Sequence, residues 1–355
     1  MKFLILTQKV DLEDDILGFF HGWLKEFSQN FEKVTVICLK EGKHNLPVNV
    51  KVLSLGKESG RSRLKYLYRF FKYIIKERKN YDSVFVHMNP EYTVLGGILW
   101  KLMNKKVGLW YAHGYTPLSL RVSARLANII FTSTASGCRI KSQKVRIVGQ
   151  GIDTDRFNKD TFKQSKKDFF QIITVGRISP VKDYKTLIKT IEFLIKEDKI
   201  TNLKVNIIGD IGLPEQKEYL INLKKIVSEK DLNKIINFVG SVPNKDILDH
   251  LKTADLFVNM SYTGSLDKAI LEAMSCGLPI LTCNEALTEV LGDYQSKLMY
   301  AKGDFQALAE KIKYIINLDI ESQKRISADL RAMVVKNHSL KDLVKKIVAE
   351  YKAIF

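Results

Sequence analysis

Residues 264–280 combine, in one short stretch, groups that could bind a phosphorylated sugar. A polar loop leads into a predicted helix that carries Glu272 and ends at Gly277, and a buried strand, Pro279–Thr282, follows at once. The first N–H groups of a helix have no intrahelical partner and attract phosphate. A carboxylate further along the helix suits a sugar hydroxyl better than a phosphate. The pattern therefore predicts a site for a nucleotide or a nucleotide-sugar.

Two cations follow the strand that is predicted to end at Val175. Arg177 and Lys182 lie in the loop before the next helix, and loops at the carboxyl ends of parallel strands form ligand sites in doubly wound domains. A diphosphate suits such a pair, with arginine as a planar fork and lysine as a point charge. The alternative is that both are solvated loop cations. The predicted helix start at Asp267–Ala269 favours the diphosphate interpretation.

The elements that would position these groups alternate between short apolar runs and amphipathic helical stretches, which is typical of α/β proteins with parallel sheets. A chain of 355 residues exceeds one ordinary core and predicts two Rossmann-like domains facing each other across a cleft. We place an N-terminal domain at residues 1–163 and a C-terminal domain at residues 164–339. The polar segment Asn158–Lys167 is the predicted linker, and Leu298–Tyr300 is the last predicted strand.

Several short motifs occur in the order and spacing of a known family. They are Val175-Gly-Arg with Lys182, Ile208-Gly-Asp, Phe238-Val-Gly with Asp246, Ala254-Asp-Leu-Phe-Val, Leu271-Glu-Ala-Met and Gly277-Leu-Pro. Together with the segment that begins at Gly149-Gln-Gly-Ile-Asp, they make the chain resemble glycosyltransferase family 4. The resemblance is strong over about residues 145–305 and weak in the first half. As a set these motifs are highly specific, although each alone is weak.

This resemblance implies a GT-B fold with a C-terminal helix, 340–355, that returns to the first domain. It also implies a nucleotide-sugar donor bound mainly by the second domain and retention of the anomeric configuration. By position, Arg177 and Lys182 would neutralise the departing diphosphate, and Glu272 would hydrogen-bond the donor ribose. The remaining donor contacts fall on the helix start, which would bind the phosphates, and on a loop that would hold the base: Lys268, Ala269 and Ile270, and Gly240, Ser241 and Val242.

One position departs from the family pattern. The family usually has a glutamate eight residues before Glu272, in contact with the transferred sugar, and here that position is Gly264. Asp267 and Lys268 replace the usual Gly-Phe pair. We infer that the sugar contact has moved onto Asp267 or Lys268, with the equally weighted alternative that Asp267 is only a helix N-cap. The identity of the sugar stays open.

Three residues of the first half are further candidates. His113 follows a predicted strand, at a position where the family often has a histidine near the donor sugar and the acceptor. A histidine beside a glycine turn is also often structural. Asp11 and Asp14 follow the first strand and are weak acceptor-binding candidates. Their alternative is a solvated acidic loop with an N-cap at Asp14.

Composition narrows the class of protein. With 45% hydrophobic and 10% aromatic residues and no apolar run of spanning length, the chain is typical of a soluble protein. The amino terminus is predicted to be a buried strand and not a signal peptide. The cysteines, at positions 38, 138, 276 and 283, show no metal-type or disulfide-rich spacing, which favours a reducing cytoplasm. No P-loop, dinucleotide fingerprint or zinc-protease motif occurs. We expect no cofactor and no metal, because the two cations and helix dipoles can replace a divalent ion.

The net charge of +18 is concentrated in the first half, with +14 in residues 1–165. This concentration predicts an anionic partner for that half. Residues 57–79 are especially basic and form a predicted helix. Its core stripe is predicted as Leu64, Leu67, Phe71 and Ile74. The side chains predicted to face an anionic membrane are Arg63, Tyr66, Arg69, Phe70 and Tyr73. The alternative is a solvated polar face above a broad core stripe.

The leading hypothesis is a retaining glycosyltransferase at the cytoplasmic face of the cell membrane. A UDP-sugar, in preference to a GDP-sugar, would be the donor, transferring a hexosyl or N-acetylhexosaminyl group. A lipid-linked or surface glycan would be the acceptor. The alternatives are a related enzyme with a soluble acceptor, a phosphorylase on a similar fold, and a non-catalytic basic protein that binds nucleic acid. The last shares the charge but shows no nucleic-acid motif, so no nucleic-acid partner is expected.

Overall fold

The computed structural model describes residues 1–60, 62–158, 168–262 and 264–354. The chain forms two compact units. The first comprises Met1–Gly151, Pro243–Lys245 and Asn337–Phe355, and the second comprises Ile152–Val242 and Asp246–Lys336. Apart from Asn158, the predicted linker Asn158–Lys167 lies outside the described residues.

The first unit contains a seven-stranded sheet in which all pairings are parallel, with strand order β3-β2-β1-β4-β5-β6-β7. The strands are β1 Lys2–Val10, β2 Lys33–Glu41, β3 Val50–Ser54, β4 Ser83–His87, β5 Lys106–Trp110, β6 Ile129–Thr132 and β7 Val145–Ile147. The helices are α1 Phe20–Asn30, α2 Arg63–Lys76, α3 Pro90–Leu102 and α4 Leu118–Leu126.

Strand β1 shows why both faces of this sheet are covered. Phe3 and Ile5 belong to one buried cluster and Leu4 and Leu6 to another, because successive side chains of a strand point to opposite faces. Helix α1 contributes to the first cluster. Helices α2, α3 and α4 contribute to the second. A strand that is apolar at consecutive positions is the expected pattern for a parallel sheet covered on both sides.

The second unit contains a five-stranded parallel sheet with strand order β10-β9-β8-β11-β12. Its strands are β8 Phe170–Val175, β9 Leu203–Ile208, β10 Ile236–Gly240, β11 Leu256–Asn259 and β12 Ile280–Thr282. Its helices are α5 Tyr184–Lys196, α6 Lys217–Glu229, α7 Ile247–Lys252, α8 Lys268–Ser275, α9 Thr288–Leu291, α10 Gln295–Leu298, α11 Phe305–Ile316 and α12 Ile320–His338, the last of which ends in the first unit.

The last helix, α13 (Leu340–Ala353), returns to the first unit, as predicted. Its buried face includes Leu343, Ile347 and Tyr351, which lie in the same cluster as α1. Ser339 caps the helix by accepting a hydrogen bond from the Asp342 N–H, and the Tyr351 hydroxyl donates to the Val84 carbonyl at 2.5 Å. The helix therefore completes the cover of the first sheet.

One domain boundary and one predicted strand differ from the sequence-based prediction. The predicted first domain ends at residue 163, whereas the first unit ends at Gly151, because Ile152 and Phe157 pack in the core of the second unit. The Ser275 hydroxyl donates to the Phe157 carbonyl at 2.6 Å and anchors this segment there. The predicted strand Leu298–Tyr300 was wrong. Helix α10 ends there, and only an isolated parallel bridge joins Met299 to Thr282.

The orientation predicted for α2 was also wrong. Phe70, which was predicted to face a membrane, is 1% exposed and packs between Tyr92 and Trp100. Tyr66 and Tyr73 are partly buried against the same cluster, whereas Leu64 and Leu67, which were predicted to be core residues, are exposed. The predicted core positions Ile74 and Phe71 are buried and partly buried, respectively.

The two arginines of that predicted face behave differently. Arg63 is exposed. Arg69 is partly buried, and its guanidinium lies against Gly56, where an added Cβ would be 2.0 Å from Nη1. Arg69 is therefore directed toward the protein. Among the described residues, no helix has both the length and the hydropathy needed to cross a membrane.

Candidate functional site

The candidate site lies at the carboxyl edge of the second sheet, where the strand order reverses between β8 and β11. In doubly wound sheets, the crevice for a ligand opens at this point, because the loops that follow the two strands leave in opposite directions. Arg177 and Lys182 follow β8, and Asp267 and Glu272 follow β11. The fold of this unit therefore collects the predicted donor residues at one edge.

Three glycines bring the backbones of neighbouring strand ends close together. Gly209 has a φ of 131°, and a Cβ there would lie 2.1 Å from the Gly176 carbonyl oxygen. The Gly209 N–H donates to the Gly240 carbonyl at 2.8 Å, and Gly240 itself has a φ of 88°. Residues with side chains rarely adopt such angles. The glycines thus allow the loops after β8, β9 and β10 to pack directly on one another.

Arg177 and Lys182 occupy different environments. Arg177 is exposed and has no ion-pair partner among the residues described by the structure. Its side chain passes close to Gly212, where a Cβ would lie 2.9 Å from the arginine Cδ. Lys182 is mostly buried, and its aliphatic stem lies over Gly176. Arg177 therefore offers a free planar fork, whereas Lys182 offers a charge in a defined position.

The Lys182 charge is held by Asp267. The lysine Nζ lies 2.8 Å from Asp267 Oδ2, and the Asn259 side-chain amide donates to the same oxygen at 3.0 Å. Asp267 occupies the N-cap position of α8, but its side chain accepts no hydrogen bond from the described residues of the first turn. Asp267 thus holds the N-cap position without a side-chain cap bond to the described residues, and its carboxylate joins the loop after β8 to the end of β11.

Asn259 is a site residue that the sequence analysis missed. It is the last residue of β11, it is buried, and its Oδ1 accepts hydrogen bonds from the Ser261 N–H and the Thr282 hydroxyl. Its amide therefore has one orientation, with the NH₂ group directed at Asp267. A polar side chain at the carboxyl end of an apolar strand was the signal that could have identified it.

Lys268 and Glu272 lie one turn apart on α8. Glu272 is 5% exposed. Burial lowers the pKa of Lys268 to about 7, although the Glu272 carboxylate acts to raise it. A lysine in the first helical turn also faces the positive end of the helix dipole. The start of α8 is therefore electropositive and disfavours the charged form of Lys268. A bound anion would stabilise that charged form.

The remaining predicted donor residues lie on the same edge. Gly264 has a φ of 67°, which favours glycine over the glutamate of the family pattern. Ala269 is partly exposed at the start of α8, and Ile270 is buried beneath it. Ser241 is exposed and Val242 is partly buried, and both follow β10. The structure thus brings these residues to one edge of the sheet and gives a conformational reason for the glycine.

His113 lies in the first unit, in the loop after β5. It is exposed, and its Nδ1 accepts a hydrogen bond from the Tyr115 N–H at 3.0 Å. The backbone N–H of His113 donates to the Gly137 carbonyl at 2.8 Å. The ring is therefore tied to its own turn through Nδ1.

Asp11 and Asp14 follow β1 and pair with Lys9, whose Nζ lies 3.0 Å from Asp11 and in close contact with Asp14. Burial tends to raise the pKa of Asp14, but hydrogen bonds from Lys9 and from the N–H groups of Leu17 and Ile16 lower it overall. Asp14 thus caps a turn before α1, whose own N-cap position is Phe19. Both acids are mostly engaged with this loop.

Among the described residues, no group of three or more histidine, cysteine or acidic side chains has an arrangement that could hold a metal ion. All four cysteines are buried and free.

The second unit matches a known family. The family model described as glycosyl transferases group 1 covers residues 155–333, which is half of the chain. The chain therefore belongs to the glycosyl transferases group 1 family. The matched segment contains both cations, Asp267 and Glu272.

Two curated relatives show the range of similarity. The amylovoran biosynthesis glycosyltransferase AmsK of Erwinia amylovora is 27% identical over 185 residues, which cover 49% of this chain and 42% of the relative. The UDP-Gal:alpha-D-GlcNAc-diphosphoundecaprenol alpha-1,3-galactosyltransferase of Escherichia coli is 25% identical over 249 residues and 62% of each chain. The alignments thus span about half the length of these relatives.

Solved structures show the same fold over the whole chain. The Anabaena protein Alr3699/HepE in complex with UDP superposes with a TM-score of 0.78 at 17% identity, over 99% of this chain and 100% of that one. A glycosyltransferase from Rickettsia africae gives a TM-score of 0.76 at 16% identity, over 99% and 98%. The two parallel-sheet α/β units of this chain form a GT-B fold, as predicted.

Proposed function

We propose that this protein is a retaining glycosyltransferase of family 4 that transfers a hexosyl or N-acetylhexosaminyl group from a UDP-sugar. The observation that carries the proposal is the ion pair between Lys182 and Asp267 at the start of α8, with Arg177 in the same loop after β8, within the segment that matches the family. The UDP bound to the Anabaena structure and the UDP-galactose named for the Escherichia coli relative support a UDP-sugar in preference to a GDP-sugar.

In the proposed reaction, the bond between the anomeric carbon and the diphosphate breaks while the acceptor hydroxyl approaches the same face of the sugar. The leaving phosphate oxygen takes the hydroxyl proton, so no carboxylate nucleophile is required. Arg177, Lys182 and the N–H groups at the start of α8 stabilise the charge that develops on the diphosphate. Fixed donors of this kind each lower a barrier by about 3–4 kcal/mol. These groups supply positive charge without a metal, and Glu272 binds the ribose.

The proposed acceptor is a lipid-linked or growing surface glycan at the cytoplasmic face of the membrane. The Escherichia coli relative is named for a diphosphoundecaprenol-linked acceptor, and another, from Staphylococcus aureus, for capsular polysaccharide biosynthesis. The concentration of positive charge in the first half of the chain fits an anionic acceptor and an anionic surface. His113 is the proposed contact to the transferred sugar, and Asp11 and Asp14 are proposed acceptor contacts.

A donor screen tests the proposal. Purified protein is incubated with UDP-sugars and GDP-sugars, and release of the free nucleotide is measured with and without glycan acceptors. We expect UDP release from one UDP-sugar, and a product whose anomeric proton couplings show the configuration of the donor. Release of GDP alone would contradict the predicted base, and an inverted product would contradict retention. Sugar transfer to inorganic phosphate without nucleotide would identify a phosphorylase.

A further inference from the structure

Helices α2, α3 and α4 cover one face of the first sheet, and their outer surface is unusually apolar. Nearly half of the large hydrophobic side chains that are exposed in the described residues lie on these three helices. Soluble proteins seldom expose contiguous apolar patches beyond a few hundred Å², and larger ones mark interaction sites. We call the outer surface of α2, α3 and α4 the basic helix layer, for the charges described below.

Helix α2 has two apolar faces. Phe70 and Ile74 are buried against the sheet, as expected of a helix that covers a core. The exposed apolar residues are Leu64, Leu67, Tyr68 and Ile75, and Leu64 is 81% exposed. Leu64, Tyr68 and Ile75 are four and seven positions apart, so they share the outer face of the helix. The inner face explains the packing of α2, whereas the outer face has no partner in the described structure.

The exposed apolar surface continues onto the neighbouring helices. On α3, Leu95, Ile98 and Leu102 are exposed at spacings of three and four residues, and on α4 Leu118 is exposed. The stacking of Phe70 from α2 on Tyr92 from α3 places these two helices side by side. Helices α3 and α4 also pack together. The apolar residues therefore belong to one layer.

Basic side chains surround these apolar residues. Residues 62–76 include no acid. The exposed cations of the layer include Lys65, Lys72, Lys76, Lys101, Arg121 and Arg125. The Lys72 ammonium lies 5.7 Å from the ring centroid of Tyr68, so cation and aromatic ring share one patch. Such long side chains can place their charge at lipid phosphates while their stems lie on apolar surface.

We propose that the basic helix layer docks this protein on an anionic lipid bilayer, with the exposed leucines and isoleucines entering the headgroup boundary. The proposal rests on the proposed membrane acceptor and names the surface that reaches it. A bilayer fits because it offers negative charge and an apolar interior together, over an area as broad as three helices. This surface differs from the sequence-based prediction, since Phe70, Tyr66 and Tyr73 face the sheet and α3 and α4 contribute.

Vesicle co-sedimentation tests the docking. Wild-type protein is mixed with vesicles of phosphatidylcholine alone or with phosphatidylglycerol, at low and high salt. We expect binding to the anionic vesicles that weakens with salt, because the charge component is screened. Equal binding to both vesicle types at low salt, or no binding to the anionic ones, would overturn the proposal.

Two triple variants locate the surface. The apolar variant combines Leu64→Ser, Ile98→Ser and Leu102→Ser, and the charge variant combines Lys65→Glu, Lys72→Glu and Lys76→Glu. We expect each to weaken binding to anionic vesicles by about tenfold or more. The matched controls change exposed residues of the second unit: Ile221→Ser, Ile320→Ser and Val335→Ser, and Lys217→Glu, Lys234→Glu and Lys297→Glu. If an apolar or charge control lost as much vesicle binding as the corresponding variant of the layer, the assignment of this surface would be overturned.

Two further measurements separate this proposal from other outcomes. UDP release in solution without vesicles should be unchanged in all four variants, because none alters the donor site. Vesicle binding by a protein that releases no nucleotide from any nucleotide-sugar would support docking while the proposed function failed. Sedimentation velocity detects self-association through this surface. The proposal would be overturned if the wild-type protein formed a dimer, bound no vesicles, and became monomeric in the apolar variant.

Discussion

Two positively charged regions of this molecule differ in how their charges are held. At the carboxyl edge of the second sheet there are few cations, and the position of Lys182 is set by Asp267 and Asn259. On the basic helix layer there are many cations, and most lie exposed on the surface. The difference indicates two kinds of recognition. A ligand at the sheet edge contacts individual groups in defined positions. A partner of the layer is bound by the total charge and the total apolar area of the surface.

The comparison predicts that single substitutions matter at the sheet edge and beneath the layer, but hardly matter on the outer surface of the layer.

The largest expected effect is on stability. Phe70→Ala removes a ring that is 1% exposed and should lower the free energy of unfolding by about 3–5 kcal/mol, because a cavity remains between α2 and α3. Leu64→Ala, on the outer face of the same helix, should change it by less than about 0.5 kcal/mol. Urea denaturation followed by circular dichroism measures both. Similar losses of unfolding free energy in the two variants would contradict the observed orientation of α2, in which Phe70 is buried and Leu64 is exposed.

Arg177→Ala should lower the rate of UDP release by about 10²–10³-fold, because one fixed donor to the leaving diphosphate is lost. Arg325→Ala, which removes an exposed arginine of the same unit, is the matched control. Initial rates at saturating donor and thermal melts of both variants provide the measurement. A near-normal rate for Arg177→Ala would remove the diphosphate assignment.

The affinity for UDP should depend on pH through Lys268. Burial lowers the pKa of this lysine to about 7 in the free protein, and a bound diphosphate favours its charged form. Binding above pH 7 therefore takes up a proton, and affinity should fall by up to about tenfold per pH unit as the pH rises. Calorimetry in buffers of different ionisation enthalpy measures the uptake.

Lys268→Met is the control for the pH dependence of UDP binding and should abolish the proton uptake.

The free energy of unfolding of the wild-type protein should rise with pH from about 7 towards 10.5, because the unfolded lysine keeps its proton over that range and the folded one does not. A flat binding profile in the wild-type protein would contradict a role for Lys268 at the phosphates.

The smallest expected effect concerns Asp267. Asp267→Asn removes the carboxylate that competes with a diphosphate for Lys182, so UDP should bind about fivefold more tightly, equivalent to about 1 kcal/mol. UDP-sugar turnover should fall if the carboxylate also contacts the transferred sugar. Fluorescence titration and initial rates separate the two effects. Weaker binding of UDP would show that Asp267 orients Lys182 instead of competing for it.

Much of the donor site could be predicted from local sequence patterns. Each cation or acid follows an apolar run that forms a strand, and parallel strands bring their carboxyl ends to one edge. Helix α13 was predicted equally well, because its apolar residues lie on one face only and the rest of its surface is polar. In α13 a single periodicity is present, so the sequence allows one orientation of that helix.

The buried face of α2 and the partner of Lys182 could not be predicted, because both are set by contacts between residues far apart in the sequence. In α2, apolar residues occur on opposite faces, and only the packing of Phe70 on Tyr92 and Trp100 shows which face is inside. The pairing of Lys182 with Asp267 joins residues 85 positions apart. Local periodicity in the sequence thus predicted the two parallel-sheet domains and most of their elements, and the family motifs placed Arg177 and Lys182 after β8. Tertiary packing selected the buried face of α2 and the partner of Lys182, because several alternatives satisfy the same local pattern.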